Sequence, residues 1–540
     1  MINDNDQLPI IKLFGNPEEN FYSLGKKDRD GYILIQEQIT KLCMRSEYTA
    51  KLIKKVTEAT AIYTKKGSIK LESELKAYAE GLEKPYSDVL FTLLLPEIVA
   101  AFNKWMPNLL SVVPGCSSLL VWDKNNKAPV HGRVLDYAIS GPYEEYERAV
   151  HYNFSNRLKS FSYATVGMPF PSLSSANEKG LTLALHYKHG DYFDITGQSI
   201  FSLMYQLSSY CTTTSEVKKY LSQNPSMAHW GIICSDKTGS VANFDIKGAQ
   251  VYTEKYDLKD NKFLYFNNRP LVSSKESETL QPYGNQAQCL MRKDFIFDKM
   301  KKFDYQSKDI PLEVLKALTQ INPTKRKSAK NWKMSTITPS SIQALTFNTA
   351  DSSSYYLKGH APKIFKGSFH KLSSIHEEIE QKVIKDKKHK ETNYNKGIEC
   401  IANAQSAMDI GNIEKAYHLL QLSIVHLEGY AEYYIAKFFF SVWQYMHEDS
   451  KKDLSYIYND FEKLDKKLPP YLEEHRILFL MRLEKILGYE QDQTHLKQIK
   501  NQNIQKIYEK EVKLKPVAIK FLRKFIIPRI EILDIVYIYA

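Results

Sequence analysis

The sequence predicts an α+β protein in which a region of strands and helices lies between two helical regions. Up to residue 115, apolar residues recur mostly at three- and four-residue steps, which is typical of helices. From residue 116 to about residue 297, short apolar strands alternate with turns and helical stretches. The helical pattern returns after residue 392. We therefore expect three parts, 1–115, 116–380 and 391–540.

The composition is that of a globular protein with several domains. The chain has 540 residues, which corresponds to two to four domains at roughly 150 residues each. A hydrophobic content of 43% and an aromatic content of 12% can supply a core. The net charge of +12 comes from scattered lysines, without an Arg-rich patch or a nucleic-acid motif. An ordinary basic surface is favoured, and we expect no nucleic-acid partner.

The cysteines and the termini exclude several classes of protein. The cysteines are Cys43, Cys116, Cys211, Cys234, Cys289 and Cys400. They are too far apart for a CxxC pair or a Cys/His metal site, so we expect neither a disulfide scaffold nor a zinc site. Residues 1–6 are acidic and polar, unlike a secretory signal. Since no run approaches 18 uncharged apolar residues, we expect no membrane span, and a protein that is cytoplasmic or exported by a route without a signal peptide.

The first part is predicted to be helical. Apolar periodicity indicates a helix from about Tyr32 to Tyr63, a second over Lys70 to Gly81 and a third over Ser87 to Trp105. The third contains Glu97. By itself this pattern indicates a helical segment and no chemistry.

The second part begins with a predicted β-hairpin that brings candidate catalytic residues together. Gly115–Asp123 reads as an apolar strand, residues 123–127 as a turn, and Val130–Tyr137 as the returning strand. In such a hairpin the start of one strand lies near the end of the other, so Arg133 and Asp136 return beside Cys116. A nearby cation favours the reactive thiolate of a cysteine. The pattern therefore indicates covalent acyl chemistry on Cys116.

These residues resemble a known superfamily. Gly-Cys-Ser-Ser at 115–118, followed by His-Gly-Arg-x-x-Asp-Tyr at 131–137, is similar to the N-terminal nucleophile (Ntn) amide hydrolases. The near branches are acid ceramidase, N-acylethanolamine acid amidase and the acyl-coenzyme A:6-aminopenicillanate acyltransferase family. The resemblance implies a four-layer αββα sandwich, with 1–115 corresponding to the segment that precedes the nucleophile. It also implies self-cleavage between Gly115 and Cys116, after which the freed α-amino group serves as the base for the thiol.

The same resemblance assigns roles to further residues. Asp136 would orient the α-amine, and Arg133 would assist the thiolate and the substrate. An Asn at the end of a later strand would bind the oxyanion; Asn267 and Asn268 both fit, and we select Asn267. A late arginine used by some relatives is either Arg292 or missing. His186, where several relatives carry Asn, is a pocket or core residue.

The resulting prediction is a self-processing hydrolase of a small-molecule N-acyl amide that acts through a Cys116 thioester, without metal or cofactor. If an amine replaces water, the same site is an acyltransferase. One alternative is an inactive Ntn-like domain in an interaction protein. Another is a papain-like protease that pairs Cys116 with His131 or His229, although the sequence around the cysteine is not that of papain-like enzymes.

The last part is predicted to bind proteins rather than to catalyse. Residues 335–358 resemble loops and short strands, and the charged run 382–390 marks a boundary. After it, the sequence indicates helices throughout. Gly411–Tyr417 has the spacing of a tetratricopeptide helix hairpin. Since one such repeat cannot bury its own faces, we expect degenerate repeats or packing on the preceding domain.

Overall fold

The computed structural model describes most of the chain as two compact units. The described residues are 7–43, 55, 71–105, 115–136, 142–188, 192–272, 283–320, 336–337, 341–359, 368–384, 392–409, 411–492, 494–523, 528–531 and 534–537. The first unit consists of residues 1–280, 293–320 and 335–389. The second consists of residues 281–292, 321–334 and 390–540. The segment 1–115 is thus part of the first unit.

An eight-stranded sheet forms one half of the first unit, with the strand order β1-β4-β5-β6-β7-β8-β9-β10. Its strands are β1 (Ile10–Gly15), β4 (Arg148–Phe154), β5 (Ser160–Ala164), β6 (Ser174–Asn177), β7 (Thr182–Tyr187), β8 (His229–Ser235), β9 (Ser240–Lys247) and β10 (Gln250–Asp257). Neighbouring strands are antiparallel except β1, which pairs with β4 in parallel, with Ile10 opposite Ala149.

A seven-stranded antiparallel sheet forms the other half, with the order β11-β2-β3-β12-β13-β14-β15. Its strands are β2 (Gly115–Asp123), β3 (Ala128–Asp136), β11 (Phe263–Phe266), β12 (Ser341–Asn348), β13 (Ser353–Lys358), β14 (Ser368–Ser373) and β15 (Glu380–Ile384). The predicted hairpin is present as β2 and β3, the second and third strands from the β11 edge of this sheet.

Helices cover the outer faces of both sheets. They are α1 (Pro17–Cys43), α2 (Glu72–Leu82), α3 (Tyr86–Trp105), α4 (Pro142–Glu145), α5 (Ile200–Tyr210), α6 (Thr214–Gln223) and α8 (Ile310–Thr319). A further helix, α7 (Tyr283–Met300), crosses the division between the units.

Three apolar clusters show how the layers of the first unit pack. Between the sheets, Phe161 of β5 packs with Phe347 of β12, and Leu120 of β2 lies in a cluster with Ile233 of β8. Outside the eight-stranded sheet, α1, α2, α3, α5 and α6 contribute to a large cluster with the strands. Outside the seven-stranded sheet, α8 packs directly on β3: a Cβ on Gly132 would lie 2.5 Å from Val314. The order is therefore helix, sheet, sheet, helix, as expected for buried apolar faces on both sides of each sheet.

The N-terminal region departs from the prediction in one strand. Residues 72–82 and 86–105 are helical close to the expected bounds. The strand β1 was not predicted, because its pairing with β4 is an interaction with a distant part of the chain. The first helix begins at Pro17 rather than near Tyr32. Its expected continuation to Tyr63 lies outside the described residues, apart from Lys55.

The prediction of loops and short strands for residues 335–341, 346–354 and 355–358 was confirmed by β13 (Ser353–Lys358), but it did not include the full length of β12. Ser341–Asn348 is a strand in which every residue is buried. Its polar Ser, Gln and Thr residues interrupt the apolar pattern that would predict a buried strand. They can be buried because their hydrogen-bond partners come from other segments of the chain. Gln343, for example, donates from Nε2 to the Tyr163 carbonyl at 3.0 Å. The strand is fixed by its pairing with β3, in which Leu345 lies opposite Arg133.

The second unit is mainly helical. It contains α9 (Asn393–Asp409), α10 (Ile413–His426), α11 (Glu432–His447), α12 (Lys451–Glu462), α13 (Pro470–Leu487), α14 (His495–Gln498), α15 (Gln502–Glu511) and α16 (Pro516–Leu522). The expectation of helices throughout was wrong at the end of the chain, where β16 (Pro528–Glu531) and β17 (Asp534–Tyr537) pair as a hairpin. The helices α9 and α10 approach closely, since a Cβ on Gly397 would lie 2.4 Å from Leu427. Whether this pair is a tetratricopeptide unit stays a prediction.

Candidate active site

The β2–β3 hairpin places Cys116 beside Arg133. In the antiparallel register Cys116 lies opposite Leu135, and Ser118 lies opposite Arg133. Directly opposed residues, and residues two apart on one strand, share a face of the sheet. The Arg133 guanidinium therefore reaches the thiol, with Nη2 at 3.5 Å from Cys116 Sγ.

The Cys116 thiol is enclosed and protonated in this arrangement. Cys116 is only 1% exposed. Its Sγ lies 3.6 Å from the Leu185 carbonyl oxygen, which can accept a hydrogen bond from the thiol. Burial raises the pKa of the thiol above its ordinary value. The Arg133 charge, the Tyr187 backbone N–H and the Asn268 side chain act in the opposite direction, and Asp136 adds to the increase. The sulfur therefore has to lose this proton as it attacks a carbonyl carbon.

Arg133 supplies a fixed positive charge at the site. Burial lowers the pKa of its guanidinium, and the neighbouring Cys116 and Asp136 counteract part of that decrease. Nη2 also donates to the Leu185 carbonyl of β7. Nε and Nη1 have no hydrogen-bond partner among the described residues.

Asp136 lies at the end of β3, opposite Gly115. The carboxylate accepts a hydrogen bond from the Ser341 hydroxyl of β12 and is 3% exposed. This register places a buried carboxylate at the residue that precedes the thiol. The sequence indicated the proximity of Asp136, but not the contribution of Ser341, which depends on the unpredicted strand β12.

Asn268, rather than the selected Asn267, is the asparagine whose side chain contacts Cys116. The Cys116 backbone N–H donates to Asn268 Oδ1 at 2.7 Å, and Asn268 Nδ2 donates to the Tyr187 carbonyl at 3.0 Å. The side chain of Asn267 instead accepts from the Arg269 N–H at 3.1 Å. The register explains the difference: Phe266 lies opposite Ser118, so residue 268 comes level with Cys116. The sequence could not choose between the two, because this pairing joins distant segments.

His186 belongs to a buried network between the sheets. Its Nε2 contacts Ser118 Oγ at 2.8 Å, and the same hydroxyl lies 3.2 Å from His131 Nε2. His131 Nδ1 lies 2.9 Å from Thr182 Oγ1. Burial, together with the Arg133 charge, lowers the pKa of His131 to about 3 and lowers that of His186 well below its usual range. Both imidazoles are therefore neutral at physiological pH.

This network argues against the papain-like alternative. Both ring nitrogens of His131 are engaged by hydroxyl groups, so neither is available to the Cys116 thiol. His229 uses Nε2 to contact the Asp245 carboxylate. Neither histidine is placed as the base of a Cys–His pair.

Arg292 lies on the part of α7 that belongs to the second unit. It is fully buried, and its Nη2 lies 3.5 Å from Cys289 Sγ. Its role as the late arginine stays a prediction.

Among the described residues there is no group of three or more His, Cys, Asp or Glu side chains that could hold a metal ion. Within the same residues, no helix has the length and apolar character needed to cross a membrane.

The chain is similar in structure to two solved amide-cleaving enzymes. The first is a Caenorhabditis elegans orthologue of N-acylethanolamine-hydrolyzing acid amidase, with 10% identity and a TM-score of 0.32, covering 44% of this chain and 93% of the other. The second is penicillin V acylase from Agrobacterium tumefaciens, with 13% identity and a TM-score of 0.29, covering 50% of this chain and 98% of the other. No protein-family profile and no curated protein sequence matches the chain. The functional proposal rests on the residues around Cys116.

Proposed function

We propose that this protein is a self-processing cysteine amidohydrolase of the Ntn type, which cleaves a linear amide bond of an N-acyl substrate. The main support for the proposal is the set of polar groups around Cys116. Its thiol lies 3.5 Å from the Arg133 guanidinium, its backbone N–H is held by Asn268, and the carboxylate of Asp136 lies at the adjacent residue.

The first stage is cleavage of the chain before Cys116. The Cys116 sulfur attacks the carbonyl carbon of Gly115, and the Gly115–Cys116 C–N bond breaks as a thioester forms. The proton that leaves the thiol passes to the departing nitrogen, which becomes the α-amino group of Cys116. Water then hydrolyses the thioester, which leaves a carboxylate on Gly115 and a free thiol. The hydrogen bond from the Cys116 N–H to Asn268 fixes the peptide group that is cut.

The second stage uses the new α-amino group as a general base. Its pKa of about 8 in model peptides suits proton transfer near neutral pH. It takes the thiol proton, and the thiolate attacks the carbonyl carbon of the substrate amide. The α-ammonium returns the proton to the departing amine, and water hydrolyses the acyl thioester to release the acid. An acceptor amine in place of water would make the same site an acyltransferase.

Asn268 and the Tyr187 backbone N–H support the oxyanion of both stages. The Tyr187 N–H already lowers the pKa of the thiol, which places this donor at the sulfur. Asn268, whose Oδ1 accepts from the Cys116 N–H, offers Nδ2 as the second donor. Asp136 orients the α-amine. Nε and Nη1 of Arg133, which have no hydrogen-bond partner among the described residues, would contact the substrate.

The apolar surroundings favour an apolar acyl group. Cys116 belongs to a buried hydrophobic cluster that includes Leu135, Leu185 and Ile342. A thioester formed on the sulfur would place its acyl chain against such side chains, where burial of each CH₂ group is worth about 0.8 kcal/mol.

In this proposal the helices of the second unit bind a protein partner.

Intact-mass spectrometry of the purified chain tests the proposal. We expect the wild type to give two fragments with the cut between Gly115 and Cys116, and Cys116→Ala to remain one chain. Cys211→Ala, which removes another buried thiol, is the matched control and should be cut like the wild type. If wild type and Cys116→Ala both remain whole, no α-amine exists at Cys116. The hydrolase proposal then fails, and an inactive domain in an interaction protein becomes the better interpretation.

A further inference from the structure

A buried lysine crosses a strand of the eight-stranded sheet to reach the loop that carries Asn268. Lys188 follows the end of β7 and is 1% exposed. Its Nζ donates to the Arg269 carbonyl at 2.6 Å. An ammonium group taken out of water is costly unless it is paired and hydrogen-bonded, so this placement requires compensation.

Gly231 makes room for the lysine. This glycine lies inside β8, opposite His186 of β7 and opposite Asp245 of β9. A Cβ on Gly231 would lie 2.3 Å from Lys188 Cε and 3.2 Å from His186 Cβ. A glycine inside a buried strand weakens the strand, and such positions often mark a close approach by another group. Here the approaching group is the Lys188 side chain.

Asp245 compensates the lysine and holds the same loop at a second point. Its Oδ2 accepts from the Leu271 N–H at 2.7 Å, and its Oδ1 contacts His229 Nε2. Although burial acts to raise the pKa of Asp245, His229, Lys188 and the Leu271 N–H together lower it. The carboxylate is therefore ionised, as a partner for a buried ammonium must be.

We propose that Lys188, seated across Gly231 and balanced by Asp245, is a positioning residue that fixes the 267–271 loop and thereby the Asn268 side chain at Cys116. Two consecutive residues of one segment hold two consecutive residues of the other: the Tyr187 carbonyl accepts from Asn268, and the Lys188 ammonium donates to the Arg269 carbonyl. The effect of Lys188 on the reaction rests on the proposed function, whereas its effect on the loop does not.

Hydrogen–deuterium exchange tests the structural part without any activity. We expect Lys188→Met to increase amide exchange in residues 267–272, including the Leu271 N–H. Lys218→Met, which alters an exposed lysine on α6, should leave the exchange of this segment unchanged. Unchanged exchange in Lys188→Met would overturn the proposal. Should this variant fail to fold because the Asp245 carboxylate loses the positive charge of Lys188, the double variant Lys188→Met/Asp245→Asn removes both charges and is expected to show the same faster exchange.

The rate of self-cleavage in cell-free translation tests the catalytic part. We expect Lys188→Met to slow the cut before Cys116 by about tenfold or more, and to have no further effect in an Asn268→Ala background, because the two act through one interaction. An additive loss would contradict a role through Asn268. If the wild type does not cut itself, the proposed function fails, and the exchange experiment still decides whether Lys188 holds the loop.

Discussion

At the scale of single residues, the thiol at the site keeps its proton. Burial raises the pKa of Cys116, although the Arg133 charge favours release of the proton. In the proposed mechanism, cleavage of the peptide before Cys116 would provide a general base on the same residue, since an α-amine has a pKa of about 8. Self-cleavage would then have to precede amide hydrolysis.

Asn268 and its neighbour form a matched pair for a first prediction. We expect Asn268→Ala to slow self-cleavage and amide hydrolysis by about 10²- to 10³-fold, because it removes an oxyanion donor. Asn267→Ala should stay within about threefold of the wild type, since the Asn267 side chain accepts from the Arg269 N–H instead. Time courses of the cut chain on gels measure both rates. A large decrease in the cleavage rate of Asn267→Ala, together with a small decrease for Asn268→Ala, would instead support Asn267 as the oxyanion donor, as selected from the sequence.

At the scale of the elements, a buried ion pair joins the N-terminal segment to the eight-stranded sheet. Arg148 of β4 donates from Nη1 and Nη2 to the two carboxylate oxygens of Asp28 on α1, at 2.5 and 2.7 Å. The Tyr78 hydroxyl of α2 donates to the same carboxylate at 2.6 Å. Because this cluster lies on both sides of the proposed cut, it would keep the two fragments together.

The ion pair gives a second prediction. In a Cys116→Ala background, in which every chain stays uncut, we expect Arg148→Ala to lower the free energy of unfolding by about 3–5 kcal/mol, because it leaves a buried carboxylate without its partner. Asp28→Asn/Arg148→Met should lose less, since neither charge is then buried alone. Urea unfolding followed by circular dichroism measures both values. Equal losses in the single and double variants would mean that packing, not charge, dominates at this position.

At the scale of the whole molecule, a buried carboxyl makes the stability of the first unit depend on pH. Glu97 of α3 is completely buried, and its Oε1 accepts from the Ile200 N–H at the start of α5 at 2.6 Å. Burial raises the pKa of Glu97 from 4.5 to about 8, although the Ile200 N–H acts to lower it. Between these values the unfolded chain has lost the proton that the folded chain keeps. Stability is therefore greatest below pH 4.5 as far as this group is concerned, and it is lost as the pH rises toward 8.

The third prediction follows from that sign. In the Cys116→Ala background, Glu97→Gln should show a smaller decrease in the free energy of unfolding between pH 5 and pH 8 than the parent. The difference is at most about 4 kcal/mol, since one proton contributes about 1.4 kcal/mol for each of the three pH units. Glu80→Gln, which changes an exposed carboxyl on α2, should follow the parent. Urea unfolding at the two pH values is the measurement. Parallel pH dependence in parent and Glu97→Gln would show that the carboxyl is not kept protonated by folding.

Elements that depend on local interactions could be predicted from the sequence, whereas elements that depend on contacts between distant segments could not. Helices α2 and α3 and the hairpin β2–β3 came out near their expected bounds because their patterns are local. The strand β12 was missed because its polar residues are satisfied by distant partners, such as the Tyr163 carbonyl for Gln343. The final hairpin β16–β17 was missed within a segment that the sequence indicated as helical.

The sequence alone determined that Cys116, Arg133 and Asp136 lie together, because a hairpin with a short turn fixes which residues face one another. It also pointed to amide chemistry through a resemblance in that short motif. Only the tertiary structure decided which asparagine reaches Cys116, since the register of β11 on β2 joins segments about 150 residues apart. The same holds for Lys188, whose path over Gly231 depends on neighbouring strands. Local spacing sets which side chains share a face, whereas contacts between distant segments are set by how the sheets pair and pack.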